Sequence, residues 1–227
     1  MSNKAALQAL YPFLHGQKQD AAKLDASLVQ SVLSKADESR AANSAFFEMH
    51  AQMLVSAAKA LAAVWSADGR LFAMGNGGSS CDASHITVEF LHPITAGRPA
   101  LPAINLGTDI AMISAVGNDV GFDQIFARQI IAQARKGDGL IGFSTSGNSA
   151  NLIAGFAAAK KQGLITFGFC GGDGGAMKTC GQVDHCLVVQ SPSVHRIQEC
   201  HVTAYHILWD LVHTLLADAR GSAGREP

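Results

Sequence analysis

Hydrophobic residues are unevenly spread along the chain. From residue 20 to residue 66 they recur at three- and four-residue intervals, uninterrupted by Pro or Gly. That spacing gathers them on one side of a helix and predicts a helical segment over 20–66, with a break near Lys35–Glu38. From residue 70 the texture changes. Short apolar runs recur at RLFAM (70–74), PAINL (102–106), GLIGFS (139–144), LITFGF (164–169) and HCLVVQ (185–190), each ending in small or polar residues. Between them, stretches with helical texture cover 80–91, 109–116, 122–135, 149–162 and about 174–180, and a last one about 196–217. Residues 217–227 read as a flexible tail.

Apolar strands alternating with helices are the pattern of βαβ units, whose strands pair in parallel and are covered by helices on both faces. The chain is therefore expected to be α/β, with a five-stranded parallel sheet. In such sheets ligands gather outside the carboxyl ends of the strands, where the polar clusters after Met74 and Phe143 fall.

Composition narrows the possibilities. A chain of 227 residues, 48% hydrophobic and 15% charged, can bury a sizeable core, which argues against disorder. A net charge of −1 offers no general attraction for nucleic acid or an anionic membrane, so any anion must meet a local site. Many alanines and few charges leave apolar helix surface to cover, a pointer to oligomerisation. The five cysteines form no CxxC pair, which suits a reducing compartment. No apolar run approaches a membrane span and the first residues lack a signal-peptide design, so a cytoplasmic location is expected. Tyr11–Leu14 reads as an anchored or subunit-swapped segment.

Two clusters carry candidate chemistry. Gly75-Asn76-Gly77-Gly78-Ser79-Ser80 follows the first strand and opens a helix near Ser79 or Ser80. Its glycines permit close backbone approach, and a helix start directs free N–H groups at an anion. A plain tight turn explains this stretch equally well. Ser144-Thr145-Ser146-Gly147-Asn148-Ser149 is sharper: one helix cap needs one hydroxyl, and here four surround a glycine. His85 and Glu89, four apart on the same helix, share a face and can converge on a metal or a proton. The last helix adds Gln198, Glu199, His201, His206 and His213, a polar stripe among Ile, Val, Leu and Trp, although His213 reads equally as a satisfied core residue.

The motifs GNGGSSCD, AVGNDVGFDQIFARQ, FSTSGNSANLI and RIQECHVTAYHI, in this order, resemble the sugar isomerase (SIS) domain family and, within it, the phosphoheptose isomerases. The resemblance covers about residues 45–216. It implies a flavodoxin-like three-layer sandwich, with residues 1–44 as a helical extension packing on the domain or on a neighbouring subunit of a homotetramer. It implies an aldose–ketose isomerase acting on sedoheptulose 7-phosphate, for the heptoses of bacterial surface polysaccharides. Glu89 and His206 match the family's catalytic base and acid. His85, Glu89, Gln198 and His206 match its zinc ligands. Asn76, Gly77, Gly78, Glu89, Asn118, Asp119, Ser144, Thr145, Ser146, Ser149 and Gln198 match positions that hold the sugar phosphate. Gln198 and His206 are eight apart, roughly 12 Å along an ideal helix, so one metal takes both only if the helix start is irregular, the side chains lean together, or two subunits contribute. Two positions depart from the pattern: Pro93 stands where many relatives carry Arg, and His195 where many carry Asp. They leave room for a different sugar phosphate. Non-catalytic relatives, such as replication-initiator-associating proteins, lack the glutamate and the helix histidine that this chain has; a sugar-phosphate sensor that binds without turnover would share the cradles.

Overall fold

The computed structural model describes residues 21–223. Residues 1–20, including the Tyr11–Leu14 segment, lie outside them. Two compact units are distinguished, Met1–Arg40 and Ala41–Pro227. Helix α1 runs Ala21–Ser66 without the break expected near Lys35–Glu38. The reason is local: Lys35, Ala36, Glu38 and Arg40 all favour helix, and no Gly or Pro opposes them. In the described part of the first unit, Leu24, Leu28, Val29, Val32 and Leu33 are exposed.

In the second unit five strands form one parallel sheet in the order β2-β1-β3-β4-β5. They are β1 (Leu71–Gly75), β2 (Ala103–Asn105), β3 (Gly139–Ser144), β4 (Ile165–Gly171) and β5 (His185–Val189). The helices between them are α2 (Gly78–Leu91), α3 (Ile110–Asp119), α4 (Ile125–Gln133), α5 (Ala150–Gln162) and α6 (Gly175–Thr179). A 3-10 turn at Phe122–Gln124 leads into α4. The last helix, α7, spans Val194–Ala223 and so continues past residue 217. Ala217, Ala219 and Arg220 sustain it, and a single Gly221 costs only about 1 kcal/mol.

Alternation along the strands sorts the core into two halves. Leu71, Ala73, Ile141, Phe143, Phe167, Phe169, Leu187 and Val189 pack against α1, α2 and α7. Phe72, Met74, Leu140, Cys170 and Val188 face α3, α4, α5 and α6 on the other side. The result is the expected three-layer sandwich. The strand order reverses between β1 and β3, whose registers pair Gly75 with Phe143. Both polar clusters leave the sheet at that crevice, the ligand-binding position of open α/β sheets.

Candidate active site

The first cradle is shaped by backbone. β1 ends at Gly75, where an added Cβ would stand 2.2 Å from the carbonyl oxygen of Ser79, so the turn closes directly onto the strand. Gly77 caps α2 with φ 53° and no side-chain cap. The helix opens at Gly78, slightly before the position expected. Ser80 spends its hydroxyl on Gly77 O at 2.6 Å.

The second cradle is shaped by side chains. Ser149 is the N-cap of α5, yet its hydroxyl caps nothing and lies 3.0 Å from that of Ser144. Ordinary capping therefore does not account for the hydroxyls. Gly147 donates to the Ser144 hydroxyl at 3.2 Å, and Asn148 to the Ser146 hydroxyl at 3.2 Å. The loop is braced on α6, since Met177 N–H bonds Gly147 O at 2.8 Å and Ala176 N–H bonds the Asn148 side chain at 2.9 Å. Thr145 is half-buried and Ser146 exposed.

A pair of side-chain amides joins the cradles. Asn76 and Asn151 donate to one another, 2.8 Å in each direction. Asn76 is thus committed to holding two loops together across the switch point. Asn151 carried no sequence signal of its own, because an Asn in the first turn of a helix is unremarkable.

Helices α2 and α7 lie side by side and run in the same direction. Gly78 meets Gln198, His85 meets Tyr205 and Glu89 meets Trp209, a constant offset of 120 residues. This pairing brings His85, Glu89 and His206 together, with one ligand atom from each within 4.8 Å of the other two. His85 Nε2 is 3.1 Å from Glu89 Oε1, and the His85 and His206 rings are 5.0 Å apart, centroid to centroid. The His85 Nδ1 lies 2.7 Å from the Tyr205 hydroxyl, which leaves Nε2 to face the cluster. Burial, with Asp82 and Glu89 nearby, pushes the Tyr205 phenol up, so it stays an O–H. One turn before His85, burial raises the Asp82 carboxyl to about 6 against the pull of His85. Desolvation and the neighbouring His85 hold His206 below the usual imidazole range, which favours the neutral, ligating form despite Glu89.

Two imidazoles and a carboxylate on two rigid helices are a donor set suited to Zn²⁺, which takes such ligands at about 2.0–2.2 Å and leaves a position open in catalytic sites. Gln198 stands elsewhere: an added Cβ on Gly78 would be 2.2 Å from its amide nitrogen, so it lies over the start of α2, two turns short of His206. Within one chain it adjoins the first cradle. Asn118 and Asp119, at the end of α3, bond each other at 2.7 Å and, among the described residues, neither hydrogen-bonds a cradle. His195 is exposed at the start of α7.

The polar stripe on α7 divides. His201 is fully buried between Phe143 and Phe169, its Nε2 3.4 Å from Cys170 O, and His213 packs on Phe90 and Trp209. Burial lowers His201 to about 4, the Cys170 carbonyl resisting. Unfolded, this imidazole takes a proton below about 6.5; folded, only below about 4, so stability is full above pH 6.5 and falls with pH between those values. Urea unfolding at pH 7.5 and 5.0 is expected to differ by about 2 kcal/mol more in the unmodified protein than in His201→Gln.

A domain family described as the SIS domain matches residues 36–171. A phosphoheptose isomerase of Solidesulfovibrio magneticus is 40% identical over 188 residues, covering 83% of this chain and 91% of that protein. One from Desulfovibrio desulfuricans is 46% identical over 167 residues, 73% of this chain and 78% of its own. Among solved structures, phosphoheptose isomerase GmhA from Neisseria gonorrhoeae superposes with a TM-score of 0.77 at 34% identity, covering 82% of this chain and 99% of that one. A Francisella tularensis phosphoheptose isomerase gives 0.78 at 32% identity, with 82% and 98% covered.

Proposed function

The chain belongs to the SIS domain family, and from that membership and the site's geometry we infer that it interconverts sedoheptulose 7-phosphate and D-glycero-D-manno-heptose 7-phosphate. The observation that carries this reading is the meeting of His85, Glu89 and His206 beside two polar cradles at the switch point. The Ser144–Ser149 loop and the first cradle hold the phosphate, fixing the far end of the sugar so that its carbonyl end reaches the α2–α7 cluster. Asn118, Asp119 and Gln198 complete the grip on the substrate. Glu89 removes a proton from the carbon beside the carbonyl and returns it to the neighbouring carbon, through a cis-enediol. His206 moves the proton between the two oxygens. His85, Glu89 and His206 would hold a zinc ion, joined by Gln198 if a second subunit contributes it, and the ion would supply a Lewis acid for the substrate oxygens. A carboxylate has two oxygens, so ligation of a metal by Glu89 would still leave an oxygen to carry the proton.

The same reading includes a homotetramer, a cytoplasmic location and a place early in heptose supply for bacterial surface polysaccharides. Leu24, Leu28 and Val32, one helical stripe exposed on residues 1–44, are surface that a neighbouring subunit can cover. All five cysteines are free, which suits a reducing compartment. Among the described residues no helix is long and apolar enough to cross a membrane.

Turnover of sedoheptulose 7-phosphate by the purified protein tests the reading. Conversion is expected, and prior treatment with a chelator is expected to lower it by at least about tenfold, with recovery on adding Zn²⁺. An intact, folded protein that converts no sugar phosphate overturns the isomerase. Full activity after verified metal removal overturns the zinc.

A further inference from the structure

The end of α2 is closed by a hydrogen bond from another helix. A carbonyl inside a helix accepts from the N–H four residues on, whereas those of the last turn need partners from outside. For Val88 that donor is His92, at 2.8 Å. For Glu89 it would be Pro93, which has no N–H. Instead the Trp209 indole N–H donates to Glu89 O at 2.8 Å. Phe90 O, next in line, is met at 2.8 Å by the N–H of Leu101. The end of the helix is therefore closed from outside, by α7 and by the strand-ward chain, at the residue that bears the carboxylate.

Trp209 is itself fixed. The Arg98 guanidinium, from the loop after α2, stacks on its ring with 4.3 Å to the centroid. Arg98 is anchored in turn by Asp210, Nη2 to Oδ1 at 2.5 Å. Asp210 follows Trp209 directly, so loop, ring and helix form a closed clamp. His206, one turn earlier on α7, belongs to the cluster that Glu89 completes.

We propose that Trp209 is a positioning residue for the isomerisation: its indole replaces the donor lost at Pro93 and, held by Arg98 and Asp210, sets the last turn of α2 so that the Glu89 carboxylate faces His85 and His206. Pro93 and Trp209 thus act as a matched pair, and the departure at residue 93 is compensated within the chain. The proposal rests on Glu89 being the base.

The test is a double-mutant cycle on the full chain. Trp209→Phe keeps a ring under Arg98 and removes the N–H. It is expected to lower kcat for sedoheptulose 7-phosphate about tenfold, with KM changed less than about twofold, because the cradles are untouched. Deuterium wash-in from D₂O into the substrate should fall in step with kcat. Hydrogen exchange of the Phe90–His92 amides should accelerate. Pro93→Ala returns an N–H to the position four residues after Glu89, so in that background the same Trp209→Phe change is expected to cost less than about threefold. An equal loss in both backgrounds, or a loss of melting temperature with kcat and wash-in unchanged, would make Trp209 merely structural and overturn the proposal. Should the unmodified protein fail to isomerise the sugar, the proposed function fails. Amide exchange across the four variants then decides by itself whether Trp209 holds the end of α2.

Discussion

Glu89→Gln is expected to lower kcat for sedoheptulose 7-phosphate about a thousandfold, within the range that a positioned general base contributes. The change is nearly isosteric. Glu89 is half-buried, its Oε1 is 3.1 Å from His85 Nε2, and an amide can occupy the same space. Its backbone carbonyl, bonded to Trp209, is untouched. Melting temperature should therefore move little, and KM should stay within about threefold, since the cradles proposed to hold the phosphate lie elsewhere. Metal content separates the two roles of the side chain. If the chain holds zinc as proposed, a variant that retains it but not turnover has lost the base, and one that loses both has lost a ligand as well. Residual activity within tenfold of the unmodified enzyme would remove Glu89 from the chemistry.

The second large effect is expected at Gly147. It sits at φ +66°, in the left-handed region, and an added Cβ would meet the carbonyl oxygen of Gly174 at 2.1 Å and its carbon at 2.6 Å. Backbone cannot rotate out of the way as a flexible side chain can. Gly147→Ala must either push α6 off the cradle or open the Ser144–Ser149 loop, and both break the Met177 N–H to Gly147 O bond. KM is expected to rise about tenfold to a hundredfold, as hydrogen bonds to a charged phosphate are each worth about 1.5–3 kcal/mol. Stability should fall by at least about 2 kcal/mol. Gly77→Ala is the useful contrast: φ is +53°, but nothing lies within 4 Å of an added Cβ. Its cost is the strain of the dihedrals alone, φ 53° with ψ −124°, roughly 1–3 kcal/mol. Equal KM values for Gly147→Ala and the unmodified enzyme would show that the hydroxyl loop does not bind the phosphate.

The sheet was readable in advance because its strands are buried on both faces, and such strands announce themselves as apolar runs bounded by small residues. All five runs are strands. Helix ends were less legible, since propensity decides them by tenths of a kcal/mol per residue: α1 crosses the expected break and α7 continues past residue 217. The meeting of His85 and Glu89 follows from a four-residue spacing. What brings His206 to them is the parallel packing of α2 on α7, which no local pattern encodes. The same packing split the α7 stripe. His201 and His213 turn into the core, and Gln198 lies beside Gly78 rather than with His206. Asn151, Tyr205 and Trp209 escaped notice for a related reason. Each is ordinary for its place in a helix, and each matters only through a partner at least 75 residues away.

The shared direction of α2 and α7 has an electrostatic consequence. Each helix carries a partial positive charge at its first turn and a partial negative charge at its last; α2 begins at the cradle, and α7 begins at Val194, one turn before Gln198 meets Gly78. Two fields of the same sign therefore add near the cradle proposed to hold the phosphate dianion. The opposite end of α2 is negative, and it falls at Glu89, beside the place for a cation. Each contribution is modest, about 0.3–1 kcal/mol, but they reinforce one another because the axes are aligned. The site is polarised from end to end. In the proposed site this polarity adds to the pull of the two polar cradles on the phosphate, so the helices themselves help to place the anion at the end of the site away from Glu89.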